Sequence, residues 1–204
     1  MNMPRDLPCQ DEEALLLARY ASGDAEAARL LTALLLPRLL AFASRMCGGD
    51  RAEAEDIAQE AMFRLWRAAP GWREGEARVS TWAYQVVSNL ATDRYRSRKR
   101  RERHTGGTPL ELTDAPDAAD PGPGAEAQLI AAQRMAALDR ALNDLPPRQR
   151  EAVVLRHLEG FSNPEIAAVM NVGVEAVESL TARGRRALAA ALAGQRALLG
   201  FEGE

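Results

Sequence analysis

Residues 162–188 read SNPEIAAVMNVGVEAVESLTARGRRAL, and this stretch decides the fold of the C-terminal part of the chain. Ser162 and Glu165 have the spacing of a capping box, which begins a helix. Asn171 then favours the left-handed backbone conformation that a tight turn needs. The pattern predicts two helices joined by a tight turn, which is a helix-turn-helix. The residues of the second helix expected to face inward are Val174, Val177, Gly184 and Leu188.

The opposite face of the second helix carries charged and small side chains. A helix of this kind fits the major groove of DNA, where such side chains contact base edges and phosphates. Glu178 is able to accept a hydrogen bond from a cytosine amino group, or to remain a solvated charge. An ordinary helical hairpin with a solvated charged face is the alternative. The outward residues are Glu175, Glu178, Ser179, Ala182, Arg183 and Arg186.

The rest of the chain is also predicted to be helical. Hydrophobic residues make up 47% of the sequence and aromatic residues only 5%, while Ala, Leu and Arg are abundant. This composition favours helices over sheets. We expect Pro37 to kink or split the second helix, and Ser80 to be the N-cap of a long one. The expected helices span 11–21, 24–48, 50–69, 80–101, 125–143 and 147–158, with a last one that ends near 199.

A segment rich in Pro, Gly, Asp and Thr separates two helical domains. Residues 104–124 read HTGGTPLELTDAPDAADPGPG and contain four acidic residues but no Lys or Arg. A segment of this composition cannot bury a core, so it predicts a flexible acidic linker. The fold class is therefore all-α, with a first domain at 10–103 and a second at 125–199.

One helix of the first domain has an unusual polar stripe. Asp56, Gln59, Glu60 and Phe63 recur at helical spacing and share a face. An aromatic ring among carboxylates and an amide is typical of a helix that binds a basic protein partner. The alternative is a solvated face with Phe63 turned sideways into the core.

The long helix after residue 80 carries a second stripe. Its residues step by three and four positions, so they lie on one face. Aromatic, amide, hydroxyl and basic groups in this order are the groups that bind single-stranded DNA by stacking, base-edge hydrogen bonds and phosphate contacts. The stripe consists of Trp82, Gln85, Asn89, Thr92, Arg96 and Lys99.

Three segments together resemble one protein family. The segment LPPRQREAVVLRHLEGFSNPEIAAVMNVGVEAVESLTARGRRAL, at 145–188, resembles region 4 of the extracytoplasmic-function (ECF) sigma factors of bacterial RNA polymerase. The segments AEDIAQEAMFRLWR, at 54–67, and VSTWAYQVVSNLATDRYR, at 79–96, resemble region 2 of the same family. Two motif sets in the family's order and spacing make the resemblance specific, and it covers nearly the whole chain outside the linker and the tails.

The resemblance implies a function and the residues that perform it. It implies a factor that binds core RNA polymerase at its β′ clamp and β flap and directs initiation at -10 and -35 promoter elements, in a stress or signal response. It also implies an anti-sigma partner, and a loop at 70–78 that holds a flipped base. The polymerase-binding residues are then Asp56, Gln59, Glu60 and Phe63. The -10 residues are Trp72, Trp82, Gln85, Asn89, Arg94, Arg96 and Lys99. The -35 residues are Arg148, Arg150, Glu178, Ser179, Arg183, Arg185 and Arg186.

Charge and composition narrow the function further. The net charge is -3, yet residues 94–103 hold seven basic residues and one acidic one. A local basic stripe on an acidic protein predicts weak DNA binding that a partner strengthens.

Cys9 and Cys47 match no zinc or redox spacing, so we expect no metal and no cofactor. No paired-carboxylate or Gly-rich phosphate pattern indicates an enzyme. We expect a cytoplasmic protein without membrane insertion; the competing function is a stand-alone helix-turn-helix regulator.

Overall fold

The computed structural model describes residues 10–73, 78–105 and 125–193 of the chain. Every regular element in these ranges is helical, which confirms the all-α prediction. The expected linker lies outside the described residues, except that residues 104 and 105 continue a helix. The helices are α1 (Gln10–Ala21), α2 (Ala25–Met46), α3 (Arg51–Ala68), α4 (Val79–Thr105), α5 (Ala125–Asn143), α6 (Pro147–His157), α7 (Asn163–Met170) and α8 (Val174–Leu192).

Helix α2 is the centre of the N-terminal half, which comprises α1–α4. It packs against α1, α3 and α4, and Leu31, Leu35 and Leu39 on its inner side have no exposed surface. Burying each such side chain stabilises the fold by roughly 1.5–3 kcal/mol. Helix α2 is also long and apolar enough to cross a membrane, a property that buried core helices share. In this structure its apolar face is used in the core.

Pro37 was predicted to kink or split the second helix, and the split does not occur. Helix α2 runs through Pro37 without interruption. Pro37 and Ala33, whose carbonyl loses its helical partner at the proline, both lie on the exposed side of the helix and not in the core. The helix ends as expected, since Gly48 and Gly49 adopt φ of +73° and +91°.

The start of α4 also differs from the prediction. Ser80 is not the N-cap, because the helix begins one residue earlier, at Val79, and Ser80 is buried inside its first turn. Its backbone N–H donates to Oε2 of Glu13 at 2.9 Å. A buried carboxylate of α1 therefore binds an N–H of the first turn of α4, a role that local sequence patterns do not reveal.

The C-terminal half, α5–α8, contains the predicted helix-turn-helix. Ser162 and Glu165 form both hydrogen bonds of the capping box, and Asn171 has φ +52° in the turn. Gly184 is buried where α8 crosses α6, and a Cβ there would lie 2.6 Å from Cγ2 of Val153. Val174 is a correction, because its side chain is 41% exposed instead of inward. Helix α8 continues without a break to Leu192, and the predicted end near 199 lies outside the described residues.

The two halves pack against each other. Helix α4 contacts α7, and α2 contacts α5 and α6. The Tyr84 ring lies between Phe42 of α2, at 5.0 Å, and Phe161 of the C-terminal half, at 4.9 Å between ring centroids. Two halves joined by a flexible linker would be expected to leave their surfaces open, and this contact shows that part of them is covered.

Candidate nucleic-acid and partner interfaces

The stripe on α3 forms a continuous exposed surface. Asp56, Gln59, Glu60 and Phe63 line one open groove, together with Leu90 and Arg94 of α4. The Phe63 side chain is 56% exposed, which excludes the alternative that it turns into the core. The four predicted residues therefore lie together, and the surface combines an aromatic ring with acidic and amide groups.

Two arginines of α3 contact the side chains of this surface. Glu60 accepts a hydrogen bond from Arg64 Nε at 2.7 Å, one helical turn away. The Arg67 guanidinium lies 5.7 Å from the centroid of the Phe63 ring, which is the geometry of a cation–π contact. Arg94 was predicted to contact the -10 element, but it lines this groove beside the acidic residues.

The first turn of α4 brings two tryptophans together. The Trp72 ring lies before the helix and contacts Trp82 edge-to-face, with 5.8 Å between centroids. Both rings are partly buried against the core and keep part of their surface accessible. Of the expected base-holding loop at 70–78, residues 74–77 lie outside the described residues. The Trp72–Trp82 pair is therefore the described part of that candidate site.

Further along α4 the residues of the predicted stripe have three different environments. Gln85 donates its side-chain N–H to the Ala168 carbonyl of α7 at 3.1 Å, so this amide is engaged by the C-terminal half. Asn89 is exposed and open. Arg96 and Lys99 line a basic groove with Tyr95, whose ring centroid lies 5.0 Å from Lys99 Nζ.

On α8 the outward residues are exposed, as predicted. Ser179 Oγ accepts from Arg183 Nη2 at 2.6 Å, which orients the guanidinium along the helix. Arg186 donates to the carbonyl of Ala182 at 3.3 Å. Glu178 lies 3.5 Å from the side-chain amide of Asn163. Ser179, Arg183 and Arg186 form a polar and basic outer face that a groove of DNA can meet.

Three other predicted -35 residues lie elsewhere. Arg148 donates to the Met170 carbonyl at 3.1 Å. Arg150 is half-buried and donates to the carbonyls of Arg45 and Asn143, at 3.0 and 2.7 Å, and burial lowers its pKa. Arg185 lines an apolar groove between α5, α6 and α8, on the side of α8 away from Arg183. In this arrangement Arg150 joins the two halves.

The structure shows a group of residues that sequence reasoning missed. Ser88 donates to the carboxylate of Glu151, and both side chains are buried. The Tyr84 hydroxyl donates to Oε2 of Glu159 at 2.5 Å. Arg78 forms an ion pair with Glu165. One signal was available, since Glu151 precedes the apolar run AVVL and a carboxylate there requires a buried partner.

Burial changes the chemistry of two further groups. It raises the pKa of the Cys47 thiol to about 12, with the Glu53 carboxylate acting in the same direction. It also raises the pKa of Glu151, although the hydrogen bond from Ser88 opposes that change. Among the side chains that the structure describes, no group of three His, Cys, Asp or Glu residues is placed to hold a metal ion.

Comparison with known proteins identifies both halves. The family model "Sigma-70 region 2" matches residues 31–101, and "Sigma-70, region 4" matches residues 135–188. The chain is 32% identical over 184 residues to RNA polymerase sigma factor CnrH of Cupriavidus metallidurans, covering 90% of this chain and 95% of that relative. It is 27% identical to the ECF RNA polymerase sigma-E factor of Escherichia coli, covering 86% and 92% of the two chains.

A solved structure has a similar fold. CnrH in complex with the cytosolic domain of CnrY superposes with a TM-score of 0.63 at 26% identity, covering 90% of this chain and 99% of that one. The matched family regions contain the α3 surface, the α4 stripe and the outer face of α8.

Proposed function

The chain belongs to the ECF group of sigma-70 RNA polymerase sigma factors, and on that premise we propose how its surfaces divide the work of directing transcription initiation. The α3 surface binds core polymerase at its β′ clamp. The α4 stripe and the Trp72–Trp82 pair bind the -10 element, and the outer face of α8 binds the -35 element while the C-terminal half contacts the β flap. The chain positions polymerase and catalyses no covalent step.

One observation carries the polymerase proposal. Phe63 is 56% exposed among the acidic and amide side chains of α3. The other residues that line its groove belong to α3 and α4 of the same half. A large ring in this setting gains little stability for the free protein. It supplies instead the apolar centre of a binding surface whose rim is charged, which is the composition of a protein interface.

The DNA proposal is supported by complementary chemistry on two helices. Asn89, Arg96 and Lys99 present an amide and two cations along α4, and the tryptophan pair lies at the start of the same helix. On α8, Arg183 is oriented by Ser179 and points outward. Stacking, amide and cationic groups suit an opened strand, and an arginine fork suits a guanine edge or a phosphate.

Polymerase is required because the free chain has little electrostatic attraction for DNA. Its net charge is -3, so attraction is confined to the basic end of α4 and the outer face of α8. We infer that the free protein binds promoter duplex weakly and that core polymerase makes the binding specific. A stand-alone regulator would instead bind its site tightly without polymerase.

The experiment is transcription in vitro with core polymerase and the D56A/Q59A variant. Both side chains are exposed, so the variant should keep its melting temperature within the usual limit of about 0.5 kcal/mol for surface changes. Polymerase affinity should fall by about tenfold or more, the loss expected for two interface residues at about 1.4 kcal/mol together. Glu55→Ala on the same helix is the matched control and should retain affinity.

Two results would contradict the proposal. A lower melting temperature with unchanged polymerase affinity would make the α3 surface structural. Tight, sequence-specific and salt-sensitive binding of promoter duplex by the free protein would favour the stand-alone regulator. Gel shifts with and without core polymerase measure the second outcome directly.

We also propose an anti-sigma partner and a cytoplasmic location. The solved structure of CnrH contains the cytosolic domain of CnrY, and the likeness of this chain to CnrH supports a protein partner here. Leu129, Ile130 and Met135 are exposed on α5 and offer an apolar surface to such a partner. Co-purification from the native cell without polymerase should recover a small protein in roughly equal amount.

A further inference from the structure

We propose that Glu178 is a specificity-determining residue on the outer face of α8: it selects a cytosine by accepting a hydrogen bond from the exocyclic amino group of that base, and Asn163 positions its carboxylate. This inference rests on the proposed binding of the outer face of α8 to the -35 element. It concerns which base that face prefers.

The outer face of α8 is divided by charge along the helix. Its first half carries two carboxylates, at Glu175 and Glu178, and its second half carries the guanidinium groups of Arg183 and Arg186. All four side chains are exposed. DNA phosphates attract the second half and repel the first. A carboxylate that enters the major groove is therefore favourable only where a base offers it a hydrogen-bond donor.

Burial along α8 places Glu178 beside a gap in this face. Val177 and Gly184 are the buried residues of the helix, so the side opposite them is the outer face. Ala182 lies one turn after Glu178 and is also exposed. Its methyl group is short, which leaves space next to the Glu178 carboxylate for the edge of a base.

A neighbouring helix orients the Glu178 carboxylate. The side-chain amide of Asn163, in the first turn of α7, donates to Oε1 of Glu178 at 3.5 Å. Asn163 is half-buried, and it directly follows Ser162, the first residue of the capping box that begins α7. This long hydrogen bond joins the two helices of the helix-turn-helix. It engages one carboxylate oxygen and leaves Oε2 to accept from a base.

The chemistry of a carboxylate selects cytosine among the four bases. A carboxylate accepts hydrogen bonds and donates none. In the major groove guanine presents two acceptors, thymine an acceptor and a methyl group, and adenine an acceptor beside its amino group. Cytosine presents only its amino group, so it is the base that offers Glu178 a donor without an acceptor to repel it. Arg183 has the opposite preference, for the acceptors of guanine.

Two substitutions separate base selection from simple charge repulsion. Glu178→Ala and Glu178→Gln remove the same charge, but alanine forms no hydrogen bond, whereas glutamine both donates and accepts and so matches adenine. A solvated carboxylate that only repels phosphates would respond equally to both changes. Glu178 is exposed, so neither variant should alter the fold. Glu12→Gln removes the same charge at an exposed position of α1 and is the matched control.

The experiment uses the full chain bound to core polymerase and a promoter library that is randomised across the -35 element. Bound promoters are recovered and sequenced. The parent and E12Q proteins should enrich cytosine at one position of the element by about tenfold, within the usual range for a base contact. E178A should lose the preference at that position only, and E178Q should shift it toward adenine. Asn163→Ala should weaken the cytosine preference by about threefold, because the carboxylate loses its orienting donor.

Three results would count against the proposal. An unchanged base preference in E178A, or an equal gain in the binding of all sequences by E178A and E178Q, would show that Glu178 is a solvated charge. An unchanged cytosine preference in N163A would refute the positioning role of Asn163. Failure of the proposed function would differ from all of these, because the parent holoenzyme would then select no -35 sequence and R183A would change nothing.

Discussion

The two helices proposed to contact DNA differ in how much of their surface is buried. The first half of α4 is covered on nearly every side, with Tyr84 and Ser88 buried and Gln85 bonded to α7. Helix α8 buries only a narrow strip, at Val177 and Gly184, and leaves its outer face open. Polar residues of α4 are therefore engaged in contacts with the C-terminal half, whereas similar residues of α8 are free to bind. Composition alone does not distinguish the two cases.

The largest expected effect compares a covered and an open position directly. Tyr84→Ala should lower the free energy of unfolding by roughly 3–5 kcal/mol, because it empties a fully buried site between two rings. Arg183→Ala should stay within about 0.5 kcal/mol, since its side chain is exposed. Urea denaturation followed by circular dichroism measures both. An equal loss in the free energy of unfolding for the two variants would contradict the distinction between the covered and the open helix.

The next prediction tests the buried strip of α8. Gly184→Ala places a Cβ 2.6 Å from Val153 Cγ2 and 3.0 Å from the Gln149 carbonyl oxygen. The crowding should cost about 1–3 kcal/mol, which thermal unfolding will measure. Ala182→Gly on the open face is a control for the change in helix propensity. An unchanged melting temperature in G184A would show that α8 is able to move away from α6.

A third prediction separates the two sides of α8 in DNA binding. Arg183→Ala should weaken promoter binding by the polymerase complex by about 1–3 kcal/mol, the usual value of a specific arginine contact. Arg185→Ala should have less effect, because Arg185 lines the apolar groove against α5 and α6. Footprinting at the -35 element compares the variants. A greater loss in R185A would reverse the proposed orientation of α8 on DNA.

The smallest expected effect is a pH dependence that comes from the Ser88–Glu151 contact between the two halves. Burial raises the pKa of Glu151, and the groups that face it are the Ser88 hydroxyl of α4 and Arg148 of its own helix. A raised carboxyl pKa in the folded state favours the protonated form, so the contribution of Glu151 to stability is greatest at low pH and falls as pH rises through that pKa. Glu151→Gln should flatten this slope in unfolding measured across the weakly acidic range. An unchanged slope would assign it to another group.

Local signals in the sequence were sufficient to locate most helices and the helix-turn-helix, but not the continuity of α2 through Pro37 or the first residue of α4. The Ser162–Glu165 capping box, the left-handed Asn171 and the paired glycines after α2 act within a few residues, so their patterns are readable. The stripe on α3 was also readable, because helical spacing alone places Asp56 and Phe63 on one face.

Contacts between residues that are far apart in the sequence could not be predicted from local patterns. Ser88 and Glu151 are 63 positions apart, and Glu13 and Ser80 are 67 apart. Periodicity within one helix does not say which other helix will cover it. The placement of Arg150 against the Arg45 carbonyl, away from a DNA-facing surface, follows from such a contact.

Cys47 at the end of α2 has a consequence for the signals this protein is able to sense. Only a thiolate reacts readily with peroxides or disulfides, and a thiol with a pKa of about 12 is almost entirely protonated at neutral pH. The side chain is also 8% exposed, so oxidants have little access to it. The N-terminal half should therefore keep its activity through oxidative stress as far as this cysteine is concerned. A redox signal that controls the protein must then be received at another residue or by a partner.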